Sequence, residues 1–379
     1  MTTCPTRSLL LQTLAPGPLA AERLQAAIEA ADLDTFATLA AAHAVAPAAA
    51  ASLHASASQL PPDWAEWAET CLFETTARNG WILHHLAVVT AALQDAGLRF
   101  FALKGCDLLL TTYEQVGARH LDDIDLLFHP DDLAAASAAL LTAGYPLQSA
   151  GTEVPFVDGT SYADYVASQA AEKIHPAVHE SADGLSIELH RMLPESEQPA
   201  ADFDRLWEGR TTHERDGLHI PLLPREELTR HLCVHAFVQH HGDWRILARH
   251  LADALRLHRA GWLSDTDAPA QTSLPLRLTK GLVALHASAA PPAATTLTRL
   301  VFPGPHAQRL WDQSIFQRLL LQRIAHDALH QPQMLLRKLL PSDDYLAYHY
   351  GNEALAAGRK RLLLKRLAML PFRPFTGAR

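Results

Sequence analysis

At 379 residues the chain exceeds what one hydrophobic core serves, so two or three packed units are expected. With 48% hydrophobic and 19% charged residues it reads as globular, which excludes disorder as its general state. A formal charge of -9 argues against a wholesale nucleic-acid coat. The four cysteines, Cys4, Cys71, Cys106 and Cys233, form no CxxC pair and so suggest neither a zinc site nor a disulfide framework.

In chain order, Arg7 precedes only a brief apolar patch that Pro16-Gly17-Pro18 interrupts, too short and broken for a signal peptide. No run approaches the roughly 20 apolar residues of a membrane helix, and a reducing cytoplasm is the expected location. Residues 1–96 are Ala-rich with helical period, including a long helix from Asp63 to Gly97, whose glycine suits the left-handed position after a helix end. His43, His54, His84 and His85 are read there as packing or surface residues.

The pattern changes at residue 98. Residues 98–103 read as a short buried strand, Lys104-Gly105 as a break, and Cys106 to Glu114 as a helix. After a loop holding Gly117 and Arg119, residues 122–128 alternate, with Asp123, Asp125 and Leu127 on one face and Ile124, Leu126 and Phe128 on the other. Pro130 suits the first position of a helix that runs to Ala143 and stops at Gly144. Residues 146–171 lack periodicity and read as a loop or insertion near the site. Two strands, 173–180 and 185–191, flank a turn containing Asp183-Gly184, and the second sets Glu188 and His190 on one face. Another hairpin is expected at Asp216-Gly217. From Pro224 the chain returns to helix, first from Arg225 to about His240, then from Asp243 to Ala260.

The Asp123/Asp125 strand carries the chemistry. Two carboxylates at i and i+2 lie about 7 Å apart, and at an effective dielectric near 20 their repulsion is on the order of 2 kcal/mol. A divalent cation offsets this, since magnesium takes oxygen ligands from one or two carboxylates together with substrate phosphates. Glu188, on a neighbouring strand, is the best-placed third acid. The competing reading is a solvated strand edge, but the apolar half of the strand indicates burial, and buried acids need partners.

These residues also carry a resemblance. Leu103-Lys-Gly105, the run from Arg119 through Asp123-Ile-Asp125 to Leu127, Gly144-Tyr145 and Ser186-Ile-Glu-Leu-His190 together resemble a poorly characterised bacterial nucleotidyltransferase family of the polymerase-β-like superfamily. The likeness covers about residues 98–260. Helix-rich flanks around a small mixed centre read as an α+β arrangement, and the resemblance implies that the mixed sheet is of polymerase-β type. The corresponding division is 1–96 (N-terminal helices), 97–223 (catalytic core) and 224–379 (C-terminal helices with a basic tail). It further implies that Asp123, Asp125 and Glu188 hold Mg2+ or Mn2+, that Lys104 and Gly105 lie against the phosphates of a nucleoside triphosphate, and that Arg119 lies near the same charges. His190 and Asp253, with Arg249, would belong to the nucleotide or acceptor pocket. One departure is that Lys104-Gly105-Cys106 lacks the superfamily's Gly-Ser pair. The expected activity is transfer of a nucleoside monophosphate to an unidentified acceptor, whether small molecule, peptide, protein or RNA. An inactive nucleotide- or partner-binding module is the alternative.

Two features stand outside that constellation. His231 and His235 are spaced for a metal, but no HExxH glutamate accompanies them and the helix is strongly apolar, so packing is the expected role; a zinc hydrolase is the rival reading. From Arg359 to Arg379 there are seven Lys/Arg and no acid. This basic amphipathic tail is read as docking on the protein's own acidic surface, in preference to membrane or RNA.

Overall fold

The computed structural model describes residues 4–147, 177–193, 196, 198–215, 217–240, 243–263, 270–288, 291–303, 343, 346 and 356–369. Most of the expected 146–171 loop, the start of the strand expected at 173 and the last ten residues of the basic tail lie outside this set.

Five helices come first: α1 (Pro5–Thr13), α2 (Ala21–Glu29), α3 (Leu33–Ala42), α4 (Ala46–His54) and α5 (Pro62–Asp95). Helix α5 starts with proline in its first turn, where the missing N–H costs nothing, and carries Asp63 beside the positive end of the helix dipole. It stops as the sequence indicates. Gly97 adopts φ +68°, its N–H bonds Gln94 O at 2.9 Å, and the Leu98 N–H bonds Leu93 O at 3.0 Å, which closes a Schellman motif.

The sheet has six strands in the order β3-β4-β2-β1-β6-β5: β1 (Phe100–Ala102), β2 (Asp123–Phe128), β3 (Ala177–Glu180), β4 (Ser186–His190), β5 (Thr211–Arg215) and β6 (Leu218–Leu222). Strand β1 runs antiparallel to β2 and parallel to β6, while β2 runs parallel to β4. The hairpins β3–β4 and β5–β6 turn at Gly184 (φ +83°) and Gly217 (φ +77°), the two positions where Asp-Gly signalled a tight turn. Helix α6 (Lys104–Thr111) follows β1, and α7 (Leu133–Thr142) follows β2 after a 3-10 turn at Pro130–Asp132. Beyond the sheet lie α8 (Pro199–Glu208), α9 (Arg225–Val234), α10 (Trp244–Arg259), α11 (Ala270–Ala287), α12 (Pro291–Val301) and α13 (Arg359–Met369). A six-stranded mixed sheet surrounded by helices is an α+β arrangement.

Among the described residues two large apolar clusters hold the elements together, beside a small one of Leu346, Leu362 and Leu363. One packs the sheet against α6, α7 and the second half of α5, through Leu86, Val89, Phe101, Ile124, Phe128 and Leu189 among others. The other joins α1–α4 and the first half of α5 to the C-terminal helices, through Leu10, Phe36, Trp64, Leu251, Leu297 and Phe302 among others. Helix α5, about 51 Å long at 1.5 Å per residue, belongs to both.

Candidate active site

Alternation along β2 buries Ile124, Leu126 and Phe128 on the core side and sets Asp123 and Asp125 on the other. Because β2 and β4 are parallel, the register pairs Asp123 with Ser186 and Asp125 with Glu188. Neighbouring strands are about 4.8 Å apart, so Glu188 stands directly beside Asp125. His190, two residues further along β4, shares that face.

Asp125 is 3% exposed and is the hub. Its Oδ1 accepts from Lys104 Nζ at 2.6 Å and from His190 Nε2 at 2.7 Å. His190 Nε2 is also 3.4 Å from Glu188 Oε2. One ligand atom each of Asp125, Glu188 and His190 lies within 4.8 Å of the other two, a group able to hold a metal ion. Asp123 stands next to this trio and feels it electrostatically. Burial pushes the Asp123 carboxyl up, the charges of Asp125 and Glu188 push it further, and it reaches about 7. Burial also disfavours the Asp125 carboxylate, but Lys104 and His190 outweigh it and hold that group well below the usual range. Burial likewise opposes charge on Lys104 and His190, and in both cases the surrounding carboxylates prevail and raise the pKa. The result is a compact, largely buried cluster of three carboxyl groups with Lys104 and His190.

The chain matches the family model described as "Uncharacterised nucleotidyltransferase" over residues 29–286. The chain belongs to that family. No curated protein and no solved structure matches it significantly. In this family member the matched span takes in the sheet, α3 through nearly all of α11, and every site residue named from the sequence.

The other expected residues arrange themselves around Lys104. The helix begins at Lys104 itself, two residues earlier than its leucine pattern indicates, and Lys104 turns the chain into it at φ +48°. That left-handed conformation is unfavourable for a side chain with a Cβ, and such strain gathers at functional sites. Gly105 answers a steric demand: a Cβ there would stand 2.6 Å from Arg119 Nη1 and 2.7 Å from Leu121 Cδ2. Arg119 in turn is buried against Asp253 of α10, with Nε–Oδ1 at 3.0 Å and Nη2–Oδ2 at 3.1 Å, and Tyr113 donates to the same carboxylate at 2.6 Å. Arg119 and Asp253 thus face each other. Cys106 is buried; desolvation foremost, with the Asp125 and Asp123 charges, raises its thiol far above the ordinary value and keeps it protonated. A Gly105→Ala substitution is expected to push the Arg119 guanidinium off the Asp253 carboxylate and to lower Tm by a few degrees; a variant that melts at the wild-type temperature would contradict this.

Asn79 and Tyr113 were not singled out from the sequence. Asn79 donates from Nδ2 to the carbonyls of Val116 (2.5 Å) and Arg119 (2.6 Å), clamping the loop that delivers Arg119. The signal was present: Leu72, Thr75, Asn79, Ile82 and Leu86 form one buried stripe on α5, so this amide had to point inward. Asp122 faces solvent instead. It accepts from His120 at 2.8 Å and Arg249 at 3.3 Å, and the His120 hydrogen bond foremost draws its carboxyl down to about 2.

The histidine helix is regular only to Val234. A π-helical turn, His235–Gln239, follows, a form often found beside functional sites. His235 and His240 bring their Nε2 atoms to 3.1 Å. Burial foremost, with the charge of Lys104 next, lowers the His235 pKa well below the ordinary value and keeps the ring neutral. Among the described residues no helix is long and apolar enough to cross a membrane.

Proposed function

We propose that this family member is a metal-dependent nucleotidyltransferase of the polymerase-β type, moving a nucleoside monophosphate from a nucleoside triphosphate to an acceptor with release of pyrophosphate. The observation that carries the reading is the parallel β2–β4 register, which sets Glu188 beside Asp125 and within electrostatic reach of Asp123. The donor set fits a hard cation: Asp125 and Glu188 offer carboxylate oxygens for Mg2+, and the His190 nitrogen suits Mn2+. Asp123, the third acid expected from the sequence, lies outside that close group and would join it as a further carboxylate. When bound, a divalent cation supplies positive charge to the polyphosphate and helps align donor and acceptor for in-line displacement.

The chain's own residues do the rest. Lys104 holds Asp125 in place and brings an ammonium to the mouth of the cluster, where triphosphate charge accumulates. The first turn of α6 offers backbone N–H groups and the positive end of the helix dipole to the same phosphates. Arg119 and Asp253 act through Gly105, as positioning residues that fix where the turn sits. We assign residues 97–223 to the catalytic core, 1–96 and 224–379 to the flanking helical regions, and the reducing cytoplasm as the working compartment.

A second reading has one observation behind it. Lys104 and His190 already neutralise Asp125, which is how a nucleotide-binding module without turnover would also look. Titrating the four common nucleoside triphosphates with Mg2+ or Mn2+ and following pyrophosphate separates the two. Release that disappears in Asp123→Asn with Asp125→Asn supports the transferase. Binding without release in any acceptor mixture supports the module, and release that survives the double substitution removes the site from consideration.

A further inference from the structure

A second pocket lies away from the acid cluster. The cluster sits on β2 and β4; across β1, between α6 and the β5–β6 hairpin, is a cavity of ≈ 270 Å³. Its floor is Asp107 with Leu222, Leu223 and Leu228, all buried, and its mouth is formed by the exposed Thr211, Thr212 and Arg225.

The floor holds a buried acid without a full set of partners. Asp107 is 1% exposed; Oδ1 takes a long bond from Thr111 Oγ1 at 3.4 Å, and Oδ2 has no partner at hydrogen-bonding geometry. Leaving a buried carboxyl oxygen unsatisfied costs about 1–3 kcal/mol, and the cavity beside it has room for a ligand that supplies the missing partner. The cavity is also polarised. Arg225, its guanidinium 5.0 Å from the Trp262 ring, stands at the mouth, the acid lies at the floor, and leucine and indole walls run between them.

We infer that this cavity is a binding site for a small zwitterion, with a cationic nitrogen seated on Asp107, a short apolar stem along the leucines, and an anionic group at Arg225. A cation alone meets Arg225 unfavourably at the mouth; an anion alone leaves Asp107 unsatisfied. The site is independent of the proposed catalysis. Burial foremost raises the Asp107 carboxyl to about 8, although the nearby Leu223 backbone and the Thr111 hydroxyl draw it the other way. The ligand therefore binds the ionised acid by displacing a proton, against a surrounding that contains His213 and Arg225.

The probe is a series of ω-amino acids of three to six carbons, titrated into the full chain by calorimetry at pH 6, 7, 8 and 9. At least one member is expected to bind saturably, more tightly as the pH rises toward 8, with a proton released to buffer. The neutral alcohol of equal length is expected to bind at least about tenfold more weakly, the scale set by a hydrogen bond to a charged group. Asp107→Asn, near-isosteric, should weaken the amino acid by a similar factor, and Thr212→Trp, at an exposed position on the mouth, should block it while leaving the circular dichroism spectrum unchanged. Absence of binding across the series, equal binding of the alcohol, or undiminished binding in either variant overturns the inference.

Discussion

Asp125→Asn is expected to lower nucleotidyl transfer on the order of 10³-fold, equivalent to about 4 kcal/mol of transition-state stabilisation. Asp125 is the only acid of the cluster bonded to both Lys104 and His190 among the described residues, so its neutral amide removes a ligand and misplaces two cations together. Glu188, 24% exposed, offers a gentler version: Glu188→Gln preserves the strand register and is expected to lose activity with little change in Tm. The cluster also sets a pH dependence. With the Asp123 carboxyl raised to about 7 in the cation-free protein, it is protonated below that pH, and a cation must displace the proton. Mn2+ affinity is therefore expected to fall as pH drops below 7, by about tenfold per unit for one competing proton, and to level off above it. Asp123→Asn should flatten that slope. An Asp125→Asn enzyme with full activity would remove these acids from the site, and a slope unchanged in the Asp123→Asn, His190→Gln double variant would remove both groups as the competing sites.

The largest stability effect is expected at Asp253. Burial foremost disfavours its charge, but Arg119, bonded twice, and Tyr113 prevail and hold the carboxyl below the ordinary value. A depressed carboxyl contributes stability above its unfolded pKa and loses it as pH falls through the folded one. Asp253→Ala leaves the Arg119 guanidinium buried without its partner, at a cost of about 3–5 kcal/mol. At roughly 2 °C per kcal/mol for a chain of this size, Tm falls on the order of 5–10 °C. The double variant Arg119→Met with Asp253→Ala should recover part of the loss, because no charge is then stranded. Equal melting of wild type and Asp253→Ala would show that the pair contributes nothing.

Local structure is readable from the residues where one short signal decides it. Gly97, Gly184 and Gly217 each take positive φ, and the alternation of residues 123–128 survives in the burial of β2. The acids of the cluster were readable because Asp123, Asp125, Glu188 and His190 each fall on the polar face of an alternating strand. What local period does not encode is who sits beside whom. The pairing of Asp125 with Glu188 depends on a parallel register across 63 residues of chain, and Arg119 meets Asp253 across 134. Arg119, expected near phosphate charge, has its guanidinium on a carboxylate. The left-handed Lys104 was hidden for another reason: a non-glycine residue at positive φ is held there by its surroundings, here by a bond to Asp125. The π turn at His235 likewise interrupts a pattern that reads as one continuous helix through residue 240.

The long α5 helix has a mechanical consequence. Asn79 grips the backbone at Val116 and Arg119, and Gly117 lies so close that a Cβ there would stand 2.6 Å from the Leu72 carbonyl oxygen. The loop that seats Arg119 is therefore fastened to the middle of a rod whose two ends are anchored in different cores. Displacing the N-terminal bundle would load the Val116–Arg119 loop through α5, so helices remote from the proposed site bear on the residue packed behind Gly105.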